Sequence, residues 1–448
     1  MLTIERFATE LRAFAGTITG AERTAARACV ADALACAAAG VSAPAHTAAT
    51  AALSDLDQCG DTRPATVWFT GARAGVLAAA YLNSVAVSAH DLDDGHRGAI
   101  GHPGGAVIPA VLAELEVTGS TVDMMDAVAF GYEAALRVAE ARDPARYERT
   151  ATGRWASHAA AAASWLIHGD PSSALAHALA HAGSLAPQLS PPDPRAVDGI
   201  KEGTPWAVVA GLMAARLARA RVPGPLYLLE RDSAYGPGDL DRIAVRRPGA
   251  VTRAYFKRYA CCRWIHPVLD CLLDMYPGAP LPPSELARID AVEVVTFGRS
   301  LRLTNRPDPR TLEEAHYSFP FCVALALTAG ADALLPIRPE ALRDPATVDL
   351  AKRVRLATDP AHDAAFPART PATVRVHTAG GTRVRGAPTA LGDPGLPMPA
   401  EALRHKHRLL TVRHGPAVTA ALARLLDPGV PVDFHELTQT ISRPQEER

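Results

Sequence analysis

The sequence predicts a mainly α-helical protein, in which a large helical domain built from both chain ends carries an inserted, smaller α+β lid domain. Residues 1–245 show the apolar periodicity of successive helices. After about residue 250 the pattern changes: 287–298 alternates as a strand does, and 372–387 reads as a hairpin that turns near Gly380 and Gly381. Helical periodicity returns from about residue 398. We therefore predict the helical domain at 1–255 and 397–448, and the lid at 256–396.

Composition excludes several classes of function. The chain has 448 residues, is 48% hydrophobic and carries a formal net charge of −1, which favours a large core and argues against nucleic-acid binding. It has no apolar run of about 18 residues that would span a membrane, and its first helix contains acids that a secretory leader lacks. Its seven scattered cysteines, without CxxC spacing, are typical of reduced thiols. We expect a cytoplasmic protein with no membrane or nucleic-acid partner.

Residues 90–105 are the densest group of chemically active side chains. They combine three aspartates, three histidines and one arginine in sixteen positions, between apolar helices. Charges in such a setting need a metal, a bound ligand or one another as partners, so the segment is a candidate site rather than an ordinary polar loop. The helix that starts near Gly104 presents free backbone N–H groups, which favour an anion.

Lysine usage provides a second observation. The chain has four lysines against 42 arginines. Where only a positive charge is needed, arginine serves, so a remaining lysine indicates a need for a compact ammonium group. We therefore expect that Lys201 and Lys257 are each needed as an ammonium group. Lys352 and Lys406 lie among other charges, and we interpret them as lysines retained by chance.

Four segments in the same order resemble the MmgE/PrpD family, which includes 2-methylcitrate dehydratase, cis-aconitate decarboxylase and iminodisuccinate epimerase. The segments are DLDDGH…GHPGGAVIPAVLA (91–113), KEGTPWAVVAGLMAARLA (201–218), FKRYACCRWIHPVLDCLL (256–273) and RTLEEAHYSFPFCVALALTAG (310–330). The resemblance covers nearly the whole chain. It implies a helical domain with a smaller lid, a homodimer, a site between the two parts and a small carboxylic acid substrate, with no cofactor and no metal.

The resemblance also implies site residues. Its catalytic positions fall on Asp91, His102, Lys201 and Lys257. The chain departs from the family at three places: Gly95 replaces a threonine, Arg149 or Trp155 lies near the expected histidine, and Phe321 replaces a tyrosine. The candidates for substrate binding are His96, Gly104, Arg149, His266 and Phe321, with His266 expected mainly to pack or to support other groups.

These residues suit proton abstraction next to a carboxylate. In this interpretation Lys201 and Lys257 bind carboxylates and stabilise an enolate-like state, and His102 transfers the proton. Asp91 acts as a partner base or orients the imidazole, and His96 replaces the missing threonine as a donor to a leaving hydroxyl. Asp93 and Asp94 are expected to fix the loop.

The simplest reaction is that of a 2-methylcitrate dehydratase-like hydro-lyase, with lid closure over the substrate. Isomerisation or epimerisation, or decarboxylation, of a related acid are alternatives within the family. Two alternatives of other classes stay open: a metal-dependent phosphohydrolase of the HD type that uses the 90–102 cluster, and a non-catalytic homologue.

Overall fold

The computed structural model describes residues 1–53, 63–143, 146, 151–187, 199–236, 238–244 and 249–444. It is mainly α-helical, which confirms the predicted fold class. The helices before residue 245 are α1 (Thr3–Ala15), α2 (Gly20–Gly40), α3 (Pro44–Leu53), α4 (Val76–Ser88), α5 (Gly104–Thr118), α6 (Met124–Ala141), α7 (Ser157–His168), α8 (Ser172–Leu185), α9 (Thr204–Arg219), α10 (Leu228–Arg231) and α11 (Asp239–Ala244).

The alanine-rich helices of this part pack through small side chains. The five consecutive alanines 159–163 of α7 are fully buried, as are many alanines of α2 and α6. Short side chains allow helix axes to approach closely, so the core is dense although it contains few aromatic residues. In the described residues no single helix is long and apolar enough to cross a bilayer; α2 and α3 reach that threshold only as a pair bent by 85°.

Four two-residue strands come first in the chain: β1 (Ala65–Thr66) pairs with β2 (Arg73–Ala74), and β3 (Gly95–His96) pairs with β4 (Ala254–Tyr255). A four-stranded sheet lies in residues 249–396, which we call the sheet lobe. Its strands are β5 (Ile289–Thr296), β6 (Val354–Thr358), β7 (Ala372–Thr378) and β8 (Gly381–Ala387), in the order β6-β5-β7-β8. The strand expected at 287–298 and the hairpin expected at 372–387 are both present, with Thr378 paired to Gly381 across the turn. The sequence interpretation missed β6, which pairs with β5 in parallel. The lobe also contains α12 (His266–Met275), α13 (Pro283–Leu286), α14 (Leu312–His316), α15 (Phe319–Ala329), α16 (Pro345–Ala351) and α17 (Pro360–Ala365).

The last helices return to the N-terminal part of the chain. They are α18 (Ala400–Thr411), α19 (Gly415–Leu425) and α20 (Phe434–Ile441). Arg27 of α2 donates hydrogen bonds to the carbonyls of Leu425 (2.9 Å) and Val430 (2.8 Å), and Lys406 of α18 forms a buried ion pair with Asp32 of α2 (2.6 Å). Both chain ends thus contribute to one helical assembly. The exact domain limits and the closure of a lid stay predictions.

Candidate active site

The loop between α4 and α5 carries the predicted acidic cluster, and its backbone is strained at Asp91. Asp91 has φ +50°, in the left-handed region that non-glycine residues seldom adopt, and its N–H donates to the carbonyl of Ser88 (3.1 Å). A backbone conformation of this kind costs about 1–3 kcal/mol and persists only where surrounding contacts hold it. Here it turns the Asp91 carboxylate into the interior, where the side chain is almost fully buried.

Two ammonium groups from distant parts of the chain hold the Asp91 carboxylate. The Nζ atom of Lys257, which is 0% exposed, lies 2.7 Å from Oδ2 of Asp91. Lys201 forms an ion pair with Oδ1 of Asp91 and donates a hydrogen bond to Oδ1 of Asp93 (2.8 Å). The predicted convergence of Asp91, Lys201 and Lys257 is therefore present.

The charges of this cluster stabilise one another. Burial alone would raise the pKa of Asp91, but the ammonium groups of Lys201 and Lys257 hold it far below its usual value. Burial alone would likewise lower the pKa of Lys201, but Asp91 and Asp93 raise it well above its usual value. Asp91 is consequently a permanent anion and Lys201 a permanent cation near neutral pH.

A two-residue ladder joins the acidic loop to the sheet lobe and thereby positions Lys257. Strand β3 (Gly95–His96) pairs antiparallel with β4 (Ala254–Tyr255), and Lys257 follows two residues after β4. The pairing also explains Gly95, where the family pattern has threonine. A Cβ atom at position 95 would lie 2.3 Å from the Tyr255 ring, so Tyr255 fills the space that a side chain would need.

His102 completes the cluster, and its tautomer follows from its contacts. Its Nδ1 atom lies 2.8 Å from the backbone carbonyl oxygen of Asp94, which can only accept, so Nδ1 carries the proton and donates. The Nε2 atom therefore has a free lone pair, 3.8 Å from Oδ1 of Asp91. The backbone N–H of His102 donates to the hydroxyl of Thr152 (3.0 Å), which fixes the loop from the other side.

Asp94 supports the start of α5. Its carboxylate accepts hydrogen bonds from the N–H of Gly104 (2.9 Å) and from the hydroxyl of Tyr132 (2.7 Å). Burial and the nearby Asp93 charge raise the pKa of Asp94 to about 7. A Cβ atom at Gly104 would lie 2.4 Å from this carboxylate, so the close approach requires glycine. This supports the expectation that Asp94 fixes the loop.

The cluster opens onto a cavity of about 130 Å³ between the helical part and the sheet lobe. This volume is below the ~300–1,000 Å³ usual for pockets of drug-sized ligands, so the cavity suits a small guest. Its lining consists of Asp91, His96, Arg97, Ile100, Gly101, His102, Glu202, Tyr255, Cys262, Arg263, Trp264, Leu303, Tyr317, Phe366, Pro367 and Thr370.

Of the predicted substrate-binding residues, His96 lines the cavity. Burial lowers its pKa to about 3, so the ring is neutral, and its Nε2 atom lies 3.6 Å from Oε1 of Glu140. Arg149 lies outside the residues that the structure describes, so its predicted role stays untested.

The geometry corrects Gly104 and Phe321 as substrate-binding candidates, and it agrees with the supporting role expected of His266. The N–H of Gly104, predicted to meet an anion, already donates to Asp94. His266 is fully buried outside the cavity lining, with Nε2 3.2 Å from the carbonyl oxygen of Cys261 and Nδ1 3.1 Å from Nη1 of Arg263, so it supports Arg263 rather than substrate. Phe321 is 0% exposed in the core of α15, where its ring packs among apolar side chains.

Several residues that line the cavity were not predicted from the sequence. Tyr317, four residues before Phe321 in the connection between α14 and α15, lines the cavity; burial, and after it the Asp91 charge, raises the pKa of its phenol well above the usual value. Glu202 accepts from the backbone N–H of Thr152 (2.9 Å). Tyr317 lies in the AHYSFPF segment and Glu202 in the KEG segment, but the sequence pattern alone does not show which side chains of these segments face the cavity.

A metal ion does not fit this donor set as it stands. Asp91, Asp93 and His102 have ligand atoms within 4.8 Å of one another, which is the spacing of a metal site. However, the Lys201 ammonium group contacts the carboxylates of both Asp91 and Asp93, and its charge takes the place that a divalent cation would need.

Fold and site together define a helical protein with a buried ammonium–carboxylate–imidazole cluster at an interlobe cavity. The MmgE/PrpD N-terminal domain matches residues 4–238, and the MmgE/PrpD C-terminal domain matches residues 259–427. The chain belongs to the MmgE/PrpD family, as its resemblance predicts. It is similar to the cis-aconitate decarboxylase of Mus musculus, with 26% identity over 355 residues that cover 74% of this chain and 70% of that protein.

Proposed function

We propose that the protein is a lyase that acts on a small polycarboxylic acid, most simply as a hydro-lyase. One observation carries the proposal: two buried ammonium groups and an imidazole of defined tautomer surround one ionised carboxylate at the edge of a small cavity. Groups of this kind stabilise the charge that develops when a proton leaves a carbon next to a carboxylate.

The two lysines retain capacity for a substrate. An ammonium group has three N–H donors, and Lys201 contacts two acids whereas Lys257 contacts one. Neither lysine lines the cavity and Lys257 is 0% exposed, so a substrate carboxylate oxygen reaches these donors only after the arrangement around Asp91 opens, as the lid movement that we expect would allow. Asp91 holds both ammonium groups in place before the substrate arrives, so they need little reorganisation of their own.

His102 is the proton acceptor in this proposal. Its free Nε2 lone pair takes the proton from the carbon, and the electron pair of that C–H bond spreads onto the carboxylate oxygens that the lysines hold. The resulting imidazolium lies 3.8 Å from both Asp91 and Asp93, which stabilise its charge. Asp91, ionised and doubly paired, orients and stabilises rather than taking the proton itself.

The second half of the reaction decides the product. In a hydro-lyase the electron pair forms a C=C bond, the adjacent C–O bond breaks, and the hydroxyl leaves as water after receiving the proton from His102. The neutral His96 ring lines the cavity and donates a hydrogen bond to that hydroxyl. Decarboxylation is a second candidate, favoured by the mouse relative. There a C–C bond breaks, CO₂ leaves, and the electron pair stays on carbon, which receives a proton from His102; His102 has first taken that proton from solvent, not from the substrate.

Proton NMR in deuterated buffer, with a panel of citrate-, aconitate- and succinate-type acids, tests the proposal. The method detects proton exchange, water loss and CO₂ loss in one experiment. We expect activity with a polycarboxylate in the wild type, and a loss of at least about a hundredfold in Lys257→Met and in His102→Gln. Lys352→Met is the matched control, because Lys352 is largely exposed and contacts only Asp349 in the described structure.

Two outcomes contradict the proposal. Full exchange in His102→Gln removes the imidazole from the mechanism. Absence of both turnover and thermal stabilisation across the acid panel favours a non-catalytic homologue. Metal analysis of the purified protein, together with a phosphomonoester assay, tests the phosphohydrolase alternative. Sedimentation analysis tests the homodimer that we also expect.

A further inference from the structure

We propose that Arg97 and Arg263, held together by Asp393, form a second anion subsite in the lining of the same cavity. It would bind a carboxylate of the substrate that is remote from the reacting carbon. The proposal rests on the function proposed above and identifies what makes the site select an acid with more than one carboxylate.

Arg97 extends from the acidic loop into the sheet lobe and is fixed there. Its Nε atom donates to Oδ2 of Asp393 (3.1 Å), and its Nη2 atom donates to the hydroxyls of Thr370 (3.1 Å) and Thr389 (3.2 Å). Nη1 makes no hydrogen bond within the described part of the chain. Because the side chain lines the cavity and is 19% exposed, these remaining N–H donors are available to a guest.

Arg263 is a more deeply buried partner from the sheet lobe. Its Nη2 atom donates to Oδ1 of Asp393 (2.7 Å) and to the carbonyl of Ala390 (3.1 Å), and its guanidinium group lies 4.7 Å from the centre of the Tyr255 ring. The side chain is 5% exposed and lines the cavity, yet its Nε atom has no hydrogen-bond partner. A buried charged donor without a partner is costly, so a ligand oxygen that reached this atom would remove that cost.

The charge balance differs between the lysine cluster and the arginine pair. Near Asp91, the two ammonium groups of Lys201 and Lys257 meet the two carboxylates of Asp91 and Asp93. At the arginine pair, two guanidinium groups share the single carboxylate of Asp393. In the described part of the chain this arginine pair therefore keeps one uncompensated positive charge, which a substrate anion would neutralise.

Guanidinium groups also have the right geometry to bind a substrate carboxylate. A guanidinium group presents parallel N–H donors that match a carboxylate, whereas an ammonium group acts as a point charge. The chain thus places lysines where charge develops during the reaction and arginines where a static carboxylate needs orientation. A monocarboxylic acid cannot contact both the lysines and the arginine pair, so the subsite favours an acid with more than one carboxylate.

Calorimetric binding of tricarballylate, an unreactive tricarboxylate, and of its monoamide tests the subsite. We expect the wild type to bind tricarballylate about ten- to a hundredfold more tightly than the monoamide, because a charged hydrogen-bonded contact is lost. In Arg97→Gln this preference should fall to within about threefold, whereas Arg97→Lys, which keeps the charge, should retain part of it. Arg219→Gln is the matched control, since Arg219 forms a similar two-point pair with Asp170 in the helical part, outside the cavity lining.

The outcomes separate this inference from the proposed function. If Lys257→Met weakens tricarballylate binding but Arg97→Gln keeps the full preference for tricarballylate, the subsite is refuted and the lysine site stands. If the wild type binds neither compound, the subsite is refuted, whereas the proposed function is decided by the acid panel described above. If Arg97→Gln does not fold, Arg97→Lys decides the matter, because we expect it to retain only part of the preference: a preference for tricarballylate over the monoamide as large as that of the wild type overturns the subsite.

Discussion

Replacing Asp91 by asparagine is the sharpest perturbation of the cluster. Asparagine has nearly the same size and, like aspartate, tolerates the positive φ of this position, so the backbone need not change. The substitution removes the charge that the two lysines share. Lys201 keeps Asp93 at 2.8 Å, whereas Lys257 has no other ion pair in the described residues and remains buried at 0% exposure.

The expected loss of stability follows from that isolated charge. Removing one partner of a buried ion pair costs about 3–5 kcal/mol, because the remaining charge has lost both water and its counter-ion. Asp93→Asn should cost less, since it leaves Asp91 in contact with both lysines. The double variant Asp91→Asn/Lys257→Met removes the buried charge as well and should recover much of the lost stability.

Urea unfolding followed by circular dichroism measures these differences. Asp126→Asn is the control, because Asp126 pairs with Arg23 at the surface, where an ion pair contributes at most about 1 kcal/mol. If Asp91→Asn unfolds within about 1 kcal/mol of the wild type, or if the double variant is less stable than Asp91→Asn, the buried-charge reasoning is refuted.

Three further substitutions test the loop around the cluster. Lys406→Met removes the ammonium group that donates to the carbonyl of Leu92 (2.8 Å) and thereby positions the acidic loop. In steady-state turnover we expect kcat to fall at least about tenfold with KM nearly unchanged, and we expect Lys406→Arg to restore part of the lost activity. Asp94→Asn removes a carboxyl group whose pKa is about 4 in the unfolded chain and is raised by burial to about 7 in the folded protein. Between these pH values the folded wild type binds a proton that the unfolded chain does not, so the stability of the wild type falls as the pH rises from about 4 to 7. The variant should lose this pH dependence, which urea midpoints measured across that range would show. Gly95→Thr should destabilise by about 1–3 kcal/mol in the same assay, because its Cβ would meet the Tyr255 ring at 2.3 Å, and Tyr255→Ala in the same chain should recover part of the loss.

Each of these expectations has a contrary result. An unchanged kcat in Lys406→Met would show that the Leu92 contact does not position the loop. A wild-type slope in Asp94→Asn would assign the pH dependence to other groups. Full stability of Gly95→Thr would mean that the Tyr255 ring moves aside freely.

The four catalytic candidates could be predicted because each depends on residue type and segment order. Asp91, His102, Lys201 and Lys257 stand in recognisable segments, and burial of charged groups between apolar helices requires that they find partners. The cavity lining could not be predicted in the same way. Phe321 and Tyr317 are four residues apart, and only the packing of α15 shows that Tyr317, not Phe321, reaches the cavity.

Gly104 shows a second kind of limit. A helix start has unsatisfied N–H groups, and the sequence interpretation assigned that of Gly104 to a substrate anion. The structure gives the N–H instead to Asp94, ten residues earlier. The N–H of Gly104 does bind an anion, as the rule predicts, but that anion is a carboxylate of the chain itself. No pattern in the sequence distinguishes a side-chain anion from a bound one.

The scarcity of lysine proved more informative than the sequence interpretation allowed. Lys406, interpreted from the sequence as retained by chance, is 1% exposed. It pairs with Asp32 of α2 and donates to the carbonyl of Leu92 in the acidic loop, so that interpretation is wrong. Lys201 and Lys257 contact the neighbouring Asp91, and only Lys352 lies at the surface. A buried ammonium group needs little room and directs its donors to oxygens at different angles, whereas a larger, planar guanidinium group reaches only some of these oxygens in the same space. In a chain that otherwise uses arginine, this geometric requirement explains why three of the four lysines meet at one loop.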